Sequence, residues 1–243
     1  MTVRNFTVRA LFAMLAALAL PALASAQKSG YVWADNPTSA SYTPSPTYSF
    51  NSSGGATTIT RSGVGVYAVK FSGLGGNGSA GGNVLVTAYG GGSETCKVVS
   101  WDSGGTDFIA NVRCFTSAGG AVDTRYAARV TMTGAAFGKN SYAWADNPTS
   151  ASYTPSATYS FNSSGGATNI TRSGVGTYAV QFSGLGGGAS SGGNVQVTAY
   201  GGGSETCKVV SWGSGGANFI ANVRCFNSAG NPIDTRYSIN VAW

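Results

Sequence analysis

Apolar residues occupy alternate positions through much of this chain, in short bursts separated by glycine-rich turns. In Val66–Phe71 the alternation puts Tyr67, Val69 and Phe71 on one side, and in Asn83–Tyr89 it puts Val84, Val86 and Ala88 on one side. A period of two is the signature of a half-buried strand. The same pattern predicts strands at Tyr31–Ala34, Thr47–Asn51, Thr57–Arg61, Val66–Ser72, Asn83–Tyr89 and Arg125–Met132. Asn36-Pro37, Ser53-Gly54-Gly55, Ser62-Gly63, the run LGGNGSAGG and Ala118-Gly119-Gly120 mark turns between them. Strands this short and this closely spaced predict an all-β fold, an antiparallel β-sandwich or barrel-like domain.

The pattern occurs twice. Tyr31–Tyr126 returns as Tyr142–Tyr237 without insertion or deletion and with most positions identical, which predicts two tandem domains, residues 27–133 and 142–243, joined by a linker at 134–141. Positions that differ between the copies show what each site accommodates. Val66, Lys70 and Leu85 become Thr177, Gln181 and Gln196, whereas the alternate residues are unchanged. The variable set is therefore expected to face outward and the alternate set inward.

Each copy contains CKVVSW followed by FIANVRCF across a Gly-Gly turn. Antiparallel pairing sets Cys96 opposite Cys114 and Cys207 opposite Cys225, where facing Cα atoms lie about 4.5 Å apart, near the lower end of what a disulfide accepts. Four cysteines allow three connectivities. Pairing within each copy is the one that survives duplication. In an unbroken register Cys96, Val98 and Ser100 share a face with Cys114, Val112 and Ala110, leaving Lys97, Val99 and Trp101 opposite Arg113, Asn111 and Ile109.

The N-terminal segment follows different rules. Arg4 and Arg9, the run LFAMLAALAL and then ALASA have the order of a secretory signal ending at Ala26, so residues 1–26 are expected to be removed. The apolar run is too short for a bilayer core of about 30 Å. A secreted, extracellular or cell-surface location follows, with the periplasm as the alternative, and an oxidising compartment agrees with paired cysteines. The formal charge of +6 includes those two arginines. It falls short of a nucleic-acid footprint.

Catalytic chemistry has little to build on. The chain has no histidine, which removes the usual triads and most zinc sites. Of eight acidic residues only Asp35, Glu94 and Asp123 recur, as Asp146, Glu205 and Asp234. No catalytic residue, metal or cofactor is expected. In WADNPTSASYTP, Asp35, Asn36, Thr38 and Ser39 offer calcium-type oxygens beside sugar-stacking aromatics, but a local Asx-Pro turn with Trp33 filling the core explains the segment better. The Gly-rich loops lack the GxxxxGK[ST] order of a phosphate loop, and DTR, at Asp123–Arg125 and Asp234–Arg236, reads as a structural salt bridge or turn.

The best candidate binding patch lies on the outer face of the hairpin: Lys97, Trp101 and Arg113, repeated as Lys208, Trp212 and Arg224. Like charges facing each other across strands need compensation, from Glu94 or from an anionic partner.

Together the motifs YxWAxxPTxxSYTP, SFNSxGG, NVxVTAYG, CKVVSW and VRCFNxxG resemble a group of uncharacterised secreted bacterial proteins, over nearly the whole chain after residue 26. The resemblance implies an exported bacterial β-domain and adds no catalytic residue. Two functions are expected. The first is a non-enzymatic binding protein, bivalent for a target such as a polysaccharide. The alternative is a structural subunit of an extracellular matrix or filament, working by self-association.

Overall fold

The structure, a computed structural model, describes residues 28–132, 139–188 and 192–242. The proposed export signal and most of the linker lie outside these residues. Copy one contains β1 (Ser29–Ala34), β2 (Ser41–Tyr42), β3 (Ser49–Asn51), β4 (Thr57–Gly63), β5 (Val66–Phe71), β6 (Asn83–Tyr89), β7 (Thr95–Asp102), β8 (Phe108–Phe115) and β9 (Arg125–Thr131). Copy two repeats the set as β10 (Asn140–Ala145), β11 (Ser152–Tyr153), β12 (Ser160–Asn162), β13 (Thr168–Gly174), β14 (Thr177–Phe182), β15 (Asn194–Ala199), β16 (Thr206–Gly213), β17 (Phe219–Phe226) and β18 (Tyr237–Ala242). β10 starts inside the stretch read as linker.

Each copy is an antiparallel sandwich, which resolves the choice between sandwich and barrel. In copy one a sheet of order β3-β1-β9-β6 faces a sheet of order β2-β4-β5-β8-β7, and copy two repeats both orders. Among the described residues no sheet draws strands from both copies. Tyr67, Val69 and Phe71 meet Val84, Val86, Tyr126 and Val130 in the core, as the period-two pattern requires. The disulfides form as expected, Cys96–Cys114 and Cys207–Cys225.

Asp123 ties the loop before β9 to the β4–β5 turn. Arg61 donates to it from Nε at 2.9 Å and from Nη2 at 2.7 Å, the Gly65 N–H at 2.8 Å and the Tyr67 hydroxyl at 2.9 Å. Asp234 receives the equivalent bonds from Arg172, Gly176 and Tyr178. The guanidinium, helped by the amide and hydroxyl, holds Asp234 down at about 2. Gly65 is required here. Its φ is +65°, and a Cβ would stand 2.6 Å from the Cys114 carbonyl oxygen.

Three local expectations fail. Thr47–Asn51 is a 3-10 turn at Pro46–Tyr48 followed by a shorter strand. Trp33 does not fill the core: Val32 and Ala34 point inward, and Trp33 stands on the outer face between Tyr48 and Tyr89. The hairpin register also breaks, because after Val98↔Val112 the next pairs are Ser100↔Asn111 and Trp101↔Ala110. Val99 is the extra residue of a β-bulge, and one extra residue reverses the face of everything beyond it.

Candidate functional site

The hairpin patch is therefore not one surface. Lys97 lies on the outer side of β7, and the bulge turns Trp101 to the side of buried Ala110, at the open edge between β6 and β7, where its Nε1 donates to the Gly81 carbonyl at 3.2 Å. These are the last strands of their sheets, so this edge presents unpaired backbone groups. Copy two covers it.

The covering surface is the outer face of β10, β18 and β15 with the loop after β15. Trp101 enters a three-sided aromatic clamp, its ring centroid 6.1 Å from Trp144, 5.5 Å from Tyr159 and 5.6 Å from Tyr200. Lys97, only 3% exposed, donates to Glu205 Oε2 at 2.7 Å. Arg113 Nη1 donates to the Gly202 carbonyl at 2.8 Å. Backbone closes the seam: the Gly201 N–H donates to the Val98 carbonyl at 2.8 Å, and Thr198 Oγ1 donates to the Val86 carbonyl at 3.2 Å. Burial pulls the Lys97 amine below its ordinary value, partly offset by the Glu205 carboxylate. The compensating acid is thus Glu205 from the other copy, and Glu94 has no ion-pair partner among the described residues.

The anchors make this a heterologous contact, since Trp101, Lys97 and Arg113 of copy one meet non-equivalent residues of copy two, although equivalent residues of both copies, among them Thr87 with Thr198 and Glu94 with Glu205, line the groove along the seam. The complementary pair is left largely open, although Gln196 of copy two borders one surface and Ser93 and Thr95 of copy one share a groove with Lys208 on the other. On copy one the face equivalent to the covered one carries Trp33, Tyr48 and Tyr89 around a cleft of about 640 Å³, whose lining also includes Tyr31, Leu85 and Arg129 and, from copy two, Gln196. Tyr31 is 48% exposed where its counterpart Tyr142 is 1% exposed. On copy two the edge equivalent to the covered one exposes Lys208 and Arg224, and Trp212 is 45% exposed. Neighbouring Val210 and Ile220 are also exposed. Leu85, expected to face solvent, does point outward but is buried beside Gln196.

The sequence offers the aromatics beside Asp35 as a sugar-stacking face, but the preferred reading, with Trp33 in the core, sets that face aside. The contrary signal was the period-two alternation itself, which places Val32 and Ala34 inward and Trp33 outward. The Asp35–Ser39 segment forms a turn in which the Ser39 N–H donates to the Asn36 carbonyl. No group of three His, Cys, Asp or Glu side chains suited to a metal occurs among the described residues. No helix among them is long and apolar enough to cross a membrane. Comparison with protein families, curated proteins and solved structures finds no match to this chain.

Proposed function

We propose that the protein is a non-enzymatic, exported structural subunit that builds extracellular material by self-association. One observation carries this reading: the two copies are joined by an edge-to-face contact that leaves a matching edge on copy two and a matching face on copy one open. A heterologous contact repeated between chains builds a closed ring or an open filament according to its rotation. Paired cysteines suit the oxidising space such material occupies. Electron microscopy and sedimentation of the secreted chain across a wide concentration range test it. Concentration-dependent oligomers or filaments are expected, and a monodisperse monomer throughout rejects it.

A second reading, polysaccharide binding, draws on the open aromatic cleft with Arg129 on its floor. Its bivalent form loses support because the two hairpins are unequally accessible. Retention on immobilised polysaccharide, abolished by Trp33→Ala, is the result this reading requires.

A further inference from the structure

Resting on the self-association reading, we infer that the free hairpin edge of copy two in one chain docks into the aromatic cleft of copy one in a second chain, with Trp212 entered between Trp33, Tyr48 and Tyr89 and Lys208 paired with Glu94. The contact inside the chain is the template. Trp101 becomes Trp212, Lys97 becomes Lys208, and Arg113 becomes Arg224; the clamp Trp144, Tyr159 and Tyr200 becomes Trp33, Tyr48 and Tyr89. Each cross-copy bond described above has its equivalent. Glu94 stands for Glu205, the Gly91 carbonyl for Gly202, the Gly90 N–H for Gly201, and the Thr87 hydroxyl for Thr198.

The two free surfaces also complement each other in chemistry. A cationic, tryptophan-bearing edge meets an aromatic cleft, and Glu94, which follows Tyr89 by five residues and lines the groove along the seam between the copies, has no ion-pair partner among the described residues; charge placed beside an aromatic anchor fixes register and partner choice. The Trp33 ring is already held edge-on by Tyr48 and Tyr89, with centroids 5.3 Å away in each case. The outward residues of the floor depart from their template at three places: Leu85 stands for Gln196, Ala127 for Ser238 and Arg129 for Asn240. The clamp is kept, and one positive charge is added beneath it. Docking within a chain has the advantage of a tether, whereas docking between chains carries the full cost of lost translational and rotational freedom. The same surfaces therefore hold the two copies together permanently and join separate chains only as concentration rises.

Sedimentation velocity of the full chain decides the matter. Trp212→Ala and Lys208→Glu should each weaken association by about thirtyfold or more, as removal of a central anchor does. Both positions are exposed, so unchanged melting curves verify that the variants fold. Placing Glu94→Lys in the same chain as Lys208→Glu should restore association. If the wild type assembles but the single variants assemble equally well, this docking mode is wrong while the structural-subunit reading stands. A double variant as weak as Lys208→Glu alone overturns the assigned pairing. A wild type that stays monomeric overturns both proposals, and polysaccharide capture by that monomer assigns the cleft to a glycan.

Discussion

Glu205→Gln removes the carboxylate that compensates Lys97 while leaving the shape of the contact almost unchanged. The Lys97 side chain is 4% exposed and Glu205 is 26% exposed, with 2.7 Å between Nζ and Oε2. Breaking a buried pair from one side costs about 3–5 kcal/mol when the stranded charge stays buried. The partial exposure of Glu205 lowers the expected figure to about 2–3 kcal/mol. The molecule has another response. If the edge lifts off the face Lys97 regains water, so the cost cannot exceed the stability of the docked arrangement. The signature is therefore loss of docking before loss of either fold. Thermal melts followed by tryptophan fluorescence report it directly, since Trp101 and Trp144 sit at the seam. They should be run at concentrations where the chain is monomeric. Glu94→Gln is the internal control, the same residue in the same local sequence with no ion pair among the described residues, and should stay within about 0.5 kcal/mol of wild type. Adding Lys97→Met to Glu205→Gln should recover most of the loss, because an apolar side chain of similar volume needs no partner. Equal melts for Glu205→Gln and Glu94→Gln would refute the reasoning.

Asp234→Asn should lower the melting temperature of copy two, because Arg172 loses the carboxylate it binds with two nitrogens and the amide cannot accept all four bonds. The folded-state value of Asp234 lies below 3.8, so its contribution is complete above about pH 4 and disappears as pH falls toward about 2; an acid titration of the melting temperature should lose this step in the variant. Each disulfide joins residues 18 apart, and chain entropy assigns each about 3 kcal/mol, so verified reduction should lower the melting temperature of both copies to a similar extent. Because no sheet among the described residues mixes the copies, which an isolated bridge at Val98 and Tyr200 joins, fragments 27–138 and 139–243 should each give a β-rich circular dichroism spectrum and a cooperative melt; an unfolded fragment would mean that the copies depend on each other.

Much of this fold was legible because a half-buried strand writes its burial into alternate residues. The inward sets of β5 and β6 and the pairing of Cys96 with Cys114 followed from period and symmetry alone. The bulge at Val99 did not, since an extra valine in CKVVSW breaks no alternation that a reader can see, and it moved Trp101 away from Lys97. The partners of the expected charges were hidden for a related reason. Asp123 was read as structural, but its partner Arg61 lies far away in sequence and is brought close by the β4–β5 turn. Glu205 could not be preferred to Glu94 for Lys97, because nothing in two nearly identical copies says how they dock. Docking is also what makes identical residues unequal, burying Lys97 and exposing Lys208.

On the proposed docking, one edge-to-face contact is used twice, once within a chain and once between chains. Two variants with complementary defects test it most directly: Trp212→Ala, which keeps the cleft and loses the anchor, and Tyr48→Ala with Tyr89→Ala, which keeps the anchor and loses the cleft. The substituted side chains are substantially exposed, so each variant should fold and remain monomeric. Mixed together and examined by sedimentation velocity, they should form a one-to-one pair and nothing larger, because each pair has a single intact edge matched to a single intact face. A mixture that stays monomeric, or one that assembles as far as the wild type, contradicts the account.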